Sequence, residues 1–105
     1  MEKINYKYKE DVILDKILKP YIDSTYQQHY ASGKYQATDM IIDVGHGEGF
    51  CIGNIIKYST RFGKKNGKNT DDLLKIIHYA MIALYINNTK EMEVLNNNNK
   101  GVENG

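Results

Sequence analysis

The chain is poor in the residues that mark several large classes of protein. Its single cysteine, Cys51, excludes an internal disulfide, and with only three histidines it leaves no recognisable zinc set. A reducing cytosol is the expected setting. No apolar run is long and uninterrupted enough to cross a bilayer, and the charged first residues lack a following apolar segment, so neither a membrane span nor a secretion signal is expected. A formal net charge of +1, from 14 basic and 13 acidic residues, excludes a general polyanion binder; extended nucleic acid is not an expected partner, and any basic site must be local. Phosphate loops ending in Gly-Lys-Ser/Thr are missing, as is a dinucleotide fingerprint after a strand. There is one proline, Pro20, and one arginine, Arg61. The abundance of Ile, Lys, Asn and Tyr has the stamp of an AT-rich genome, which by itself accounts for many lysines and tyrosines.

What is present is helical periodicity. Asp11 to Lys19 places Ile13, Leu14, Ile17 and Leu18 on one face, and Pro20 ends that helix or opens the next in its first turn. Tyr21 to Tyr30 reads as a second helix in which Tyr26, His29 and Tyr30 share a side; packing explains such a cluster more often than base stacking does. Ser32-Gly33 reads as a turn, and Ala37, Met40, Ile41 and Val44 give a third helix that Gly45 stops. The fold class predicted is all-α: a small domain of four or five helices over residues 1–87, built round a central antiparallel pair, Phe50–Phe62 and Asp71–Asn87. Residues 88–105 read as a polar, disordered tail. The last helix is apolar on most sides, so a homo-oligomer is expected to cover it. Thr70 is the predicted N-cap, with Asp71 and Asp72 suiting the first turn through the helix dipole.

Chemistry concentrates between Gly45 and Tyr85. In the Phe50–Phe62 helix, Asn54, Lys57, Tyr58 and Arg61 form one stripe, and Ile52, Ile55, Ile56 and Ser59 another. The isoleucine stripe is read as buried and the polar stripe as presenting donors. An amide, an ammonium, a phenol and a guanidinium together suit an anion, phosphate above all. Taken alone, such a stripe is most often a solvated face. Here Lys64, Lys65 and Lys68 follow directly in a basic loop read as mobile, and the Gly45-His46-Gly47-Glu48-Gly49 turn precedes it, where backbone N–H groups can approach an anion closely. Asp39 and Asp43, one turn apart, and Glu48 are candidates to hold magnesium through water, although a solvated acidic face is the commoner reason for such a pair. Of the histidines, His46 in the glycine turn is a better functional candidate than His78 in the apolar helix.

The pattern Gly53-Asn54-x-x-Lys57-Tyr58-x-x-Arg61, then Lys64-Lys65, then Asp72-Leu73-x-Lys75 and Tyr79, resembles the SaV-like small phage proteins, a group that includes a phage nucleoside-monophosphate kinase. The likeness runs from about Tyr35 to Tyr85 and does not extend to roughly the first 26 residues. It implies a phage protein acting on nucleotides in the infected cell's cytoplasm, with ATP and magnesium if it is a kinase. By position it implies Asn54, Lys57, Tyr58 and Arg61 as signature residues, with Asp72, Lys75 and Tyr79 from the next helix; the predicted phosphate site takes all of these except Asp72 and adds Lys64 and Lys65. Two other functions stand beside that one. A sponge that captures a nucleotide signal of host immunity needs stacking and a basic clamp but neither metal nor base. A helical protein that binds a protein partner needs no phosphate site, and SaV-like proteins are implicated in sensitivity to abortive infection.

Overall fold

The computed structural model describes residues 3–89 and 94–95; for 29–32 and 34–36 it describes the backbone alone. Among the described residues all regular structure is helical: α1 (Glu10–Val12), a π-helical stretch (Ile13–Leu18), α2 (Lys19–Ser32), α3 (Lys34–Asp43), α4 (Gly47–Arg61) and α5 (Thr70–Asn87). The chain divides into two compact units, Met1–Thr38 and Asp39–Gly105. Most of the segment read as a tail, at 90–93 and 96–105, lies outside the described residues.

In the first unit Pro20 does not break the helical path. A proline inside a helix removes one N–H donor and presses its ring on the preceding turn. Here the turn before it is wider: the Lys19 N–H donates to the Leu14 carbonyl, five residues back, and Pro20 follows as the second residue of α2. Ser24 and Thr25 donate their hydroxyls to the Tyr21 and Ile22 carbonyls at 2.7 Å, and Thr25 is buried. Of the four apolar residues predicted to share one face, Leu18 alone is buried, while Ile13, Leu14 and Ile17 are exposed. Tyr26 is exposed as well. The side chains of His29 and Tyr30 lie outside the described residues, so the aromatic cluster drawn there stays untraced. Gly33, at φ 79°, makes the turn predicted at Ser32-Gly33.

The second unit begins in α3, which stops at Gly45 for the anticipated reason. Gly45 sits at φ 91°, where a side chain is strained, and two bonds close the helix: Gly45 N–H to Ile42 O and His46 N–H to Ile41 O, both 3.0 Å. Helix α4 starts earlier than predicted, at Gly47, and this glycine is there for packing. A Cβ at Gly47 would lie 2.8 Å from Ile86 Cδ1 and 2.9 Å from Ile42 Cγ1. Gly53, by contrast, has open space around it. Gly47→Ala is therefore expected to lower the unfolding free energy by about 1–2 kcal/mol through overpacking. Gly53→Ala should raise it by roughly 0.5–1 kcal/mol through helix propensity. Urea denaturation of the two variants checks the opposite signs; two shifts of one sign would sink the packing argument.

Loop 62–69 carries its own hydrogen bonds, among them Gly63 N–H to Gly67 O at 3.0 Å and the Lys64 and Lys65 N–H groups to Arg61 O. The N-cap of α5 is Asn69 rather than Thr70: its side chain accepts from the Asp71 N–H at 2.9 Å, and Thr70 is the first helical residue. Asn69 wins because its extended backbone, φ −79° and ψ 122°, brings the short amide oxygen over the exposed N–H groups.

Candidate functional site

Helices α4 and α5 pack antiparallel, with Arg61 beside Asp72, Tyr58 beside Lys75 and Gly47 beside Ile86. This pairing overturns much of the predicted assignment of α4's faces. Tyr58 is buried, Asn54 and Arg61 are half-buried, and Tyr58 and Arg61 meet residues of α5, while Lys57 is exposed. Of the stripe expected inside, Ile52 and Ile56 are 45% and 58% exposed, Ser59 is exposed too, and Ile55 is half-buried. The physical reason is area and shape. Phe50 and Tyr58 bring more ring surface than the isoleucines do, long cationic side chains can bury their stems while their heads stay wet, and Cys51 and Gly47 on the same side let the helices approach closely.

The centre of this seam is the Tyr58 ring. Lys57 Nζ and Lys75 Nζ each lie 4.9 Å from its centroid, and the Arg61 guanidinium carbon lies 6.0 Å away. Tyr79 stacks nearly parallel to it, centroids 6.2 Å apart, and Phe50 meets Tyr79 edge-on at 5.7 Å. Two helices thus bring three cations to one phenol beside a short aromatic row. Phe50 belongs to this row, although spacing alone marked it only as the start of a helix.

The single nearby counter-charge described is Asp72, 1% exposed, whose Oδ1 lies 3.5 Å from Arg61 Nε. This is an ion pair without good hydrogen-bond geometry: Arg61 Nε and Asp72 Oδ2 are both buried without a hydrogen-bond partner. The helix dipole was reason enough for Asp72 in the sequence. The resemblance counted it among the signature residues, and the register of α4 against α5 sets it beside Arg61.

The remaining predicted residues stand further out. Asn54 donates its side-chain N–H to Phe50 O at 2.8 Å, which commits part of the amide to its own helix. Lys64 and Lys65 are exposed at the start of the loop, just past Arg61. The glycine turn is not part of the cluster. It borders an open depression of about 740 Å³ lined by Ile41, His46, Glu48, Phe50 and Ile52 among others; the candidates His46 and Glu48 are there, and none of the predicted phosphate ligands lines it. Asp39, Asp43 and Glu48 are exposed, and among the described residues no three metal-ligating side chains converge. Cys51 is fully buried under the helix pair, and burial pushes its thiol pKa up, so it stays protonated and unreactive.

A family model described as a protein of unknown function, DUF3310, matches residues 24–81, more than half of the chain. The chain belongs to that family. No curated protein and no solved structure matches. The matched stretch holds the cation cluster, Asp72 and the aromatic row, and no described helix is long and apolar enough to cross a membrane.

Proposed function

We propose that this DUF3310 protein binds nucleotides by their phosphate groups, using the cation cluster at the α4–α5 seam. The observation that carries the reading is the convergence of Lys57, Arg61 and Lys75 on the Tyr58 ring with one carboxylate among them. Like charges held this close repel one another, and no more than part of that is offset by the ring and by Asp72. A phosphate brings the missing negative charge and the oxygen acceptors that two ammonium groups and a guanidinium fork are built to meet. In a chain of net charge +1, such a local excess is a site rather than a general property.

The likeness to SaV-like phage proteins gives this binding a context: a protein in an infected cell's cytoplasm, similar to a nucleoside-monophosphate kinase. Turnover would require ATP and magnesium besides. The proposal is binding, and catalysis is left open. Lys64 and Lys65, exposed just past Arg61 in the chain, would meet a second phosphate. We also propose that the protein is a homo-oligomer. Leu73, Ile77, Met81 and Leu84 recur at helical spacing along α5 and are all exposed, an apolar stripe of the kind that a second subunit covers.

The test incubates the protein with mononucleotides and cyclic nucleotides, with and without ATP and magnesium, then chromatographs free, heat-released and converted pools. Depletion with recovery of unchanged ligand on heating is the expected result, and is also how a sponge behaves. Conversion of a monophosphate to its diphosphate adds the kinase activity. If every nucleotide stays free, the phosphate site is wrong and a protein partner becomes the better reading.

A further inference from the structure

Asp72 has no direct use in gripping an anion, since its charge opposes one. It is nonetheless the most buried charged group described, placed against the inner edge of the only arginine in the chain. An ion pair kept for stability normally satisfies both partners, often through a bidentate fork. This one does not: contact is through Nε at 3.5 Å, and both Nε and Asp72 Oδ2 are left without hydrogen bonds. As a stabilising pair it is poor. As a seat it makes sense, because the buried carboxylate draws the Nε edge of the guanidinium inward by charge, which favours the opposite edge, with its two Nη groups, for the oxygen atoms of a ligand. The composition points the same way. Basic positions in this chain are otherwise lysines, so a plain positive charge was available from lysine here as well. A planar fork differs from an ammonium in having an inner edge to hold and an outer edge to present.

We infer that Asp72 is a positioning residue for the phosphate site, orienting Arg61 toward the bound anion. The inference rests on the phosphate-binding reading above and adds a residue whose charge has the wrong sign for contact. Charge alone predicts that Asp72→Asn tightens anion binding, because a negative group near the anion is gone. Positioning predicts the reverse. Since Arg61 is the sole arginine, its Nε–H gives a unique resonance in ¹⁵N-labelled protein, which reports the side chain's order directly.

The experiment titrates inorganic pyrophosphate into the wild type, Asp72→Asn, Arg61→Lys and the double variant, following that resonance where arginine is present and affinity by calorimetry in all. The expected result is that Asp72→Asn loses roughly 10-fold in affinity, with an exchange-broadened Arg61 signal, and that the same change adds nothing in the Arg61→Lys background. Equal or tighter binding by a folded Asp72→Asn overturns the inference and leaves the phosphate site intact. A wild type that does not bind pyrophosphate overturns the site itself, and this role with it. Should circular dichroism show Asp72→Asn unfolded, Asp72→Glu keeps the charge while moving it by a methylene: weaker binding with a displaced Arg61 resonance supports positioning, and unchanged affinity overturns it.

Discussion

Replacing Lys57 and Lys75 together by glutamine is expected to weaken pyrophosphate or nucleotide binding by roughly 100-fold or more, with the loss of two charge-assisted hydrogen bonds. The same double variant should keep its unfolding free energy within about 1 kcal/mol of the wild type, because two small cation–π attractions are lost while repulsion among three cations is relieved. That combination separates a ligand site from a structural cluster. If the lysines sat over Tyr58 only to hold the helices together, stability would fall and affinity would not change. Arg61→Ala is a less clean probe. It strands the buried Asp72 carboxylate, and breaking such a pair costs about 3–5 kcal/mol when both partners are deeply buried; Arg61, at 27% side-chain exposure, places the expected loss at or below that range's lower end. Calorimetry for affinity and urea unfolding for stability, on the same preparations, decide the matter. An affinity within a factor of about two of wild type for Lys57→Gln/Lys75→Gln would remove the proposed site.

The second large effect concerns assembly. Ile77→Lys combined with Met81→Lys is expected to turn the proposed oligomer into monomers, read as mass by light scattering on a sizing column. Both residues stand in the middle of the exposed α5 stripe, and in a two-fold contact each appears twice. Burying a side chain of this size is worth about 1.5–3 kcal/mol, so introducing charge at four places in such an interface should raise the dissociation constant by more than roughly 1,000-fold. Ile52→Lys on α4 is the control for the opposite exposed face. Loss of assembly there with none from the α5 variant would move the interface to α4; a wild type monomeric at high concentration would end the oligomer proposal. Monomers that still bind pyrophosphate would place the phosphate site within one chain, as the α4–α5 geometry implies.

How much was legible beforehand differs from residue to residue. Lys57, Tyr58 and Arg61 were picked out by spacing, and Lys75 and Tyr79 entered by resemblance; all meet at the seam. Asp72 was seen as a helix-start residue, which it is, and as part of the resemblance, yet its burial against Arg61 was not visible. The glycine turn was read toward an anion, whereas Gly47 is occupied with Ile42 and Ile86. In both misses the deciding contact joins α4 to α5.

The sequence by itself determined what depends on near neighbours: helical class, the stop of α3 at Gly45 where a positive φ is needed, and the acidic start of α5. It also determined that a helix rich in cations and rings would run antiparallel to an apolar one. Tertiary structure alone decided which stripe of α4 turned inward and that Asp72 met Arg61. Both stripes of α4 carry apolar area, isoleucine side chains on one, rings and methylene stems on the other, so periodicity leaves the choice degenerate. Docking against α5 breaks the tie, because only there do the close approach at Gly47, the stacked tyrosines and the Arg61–Asp72 pair form together.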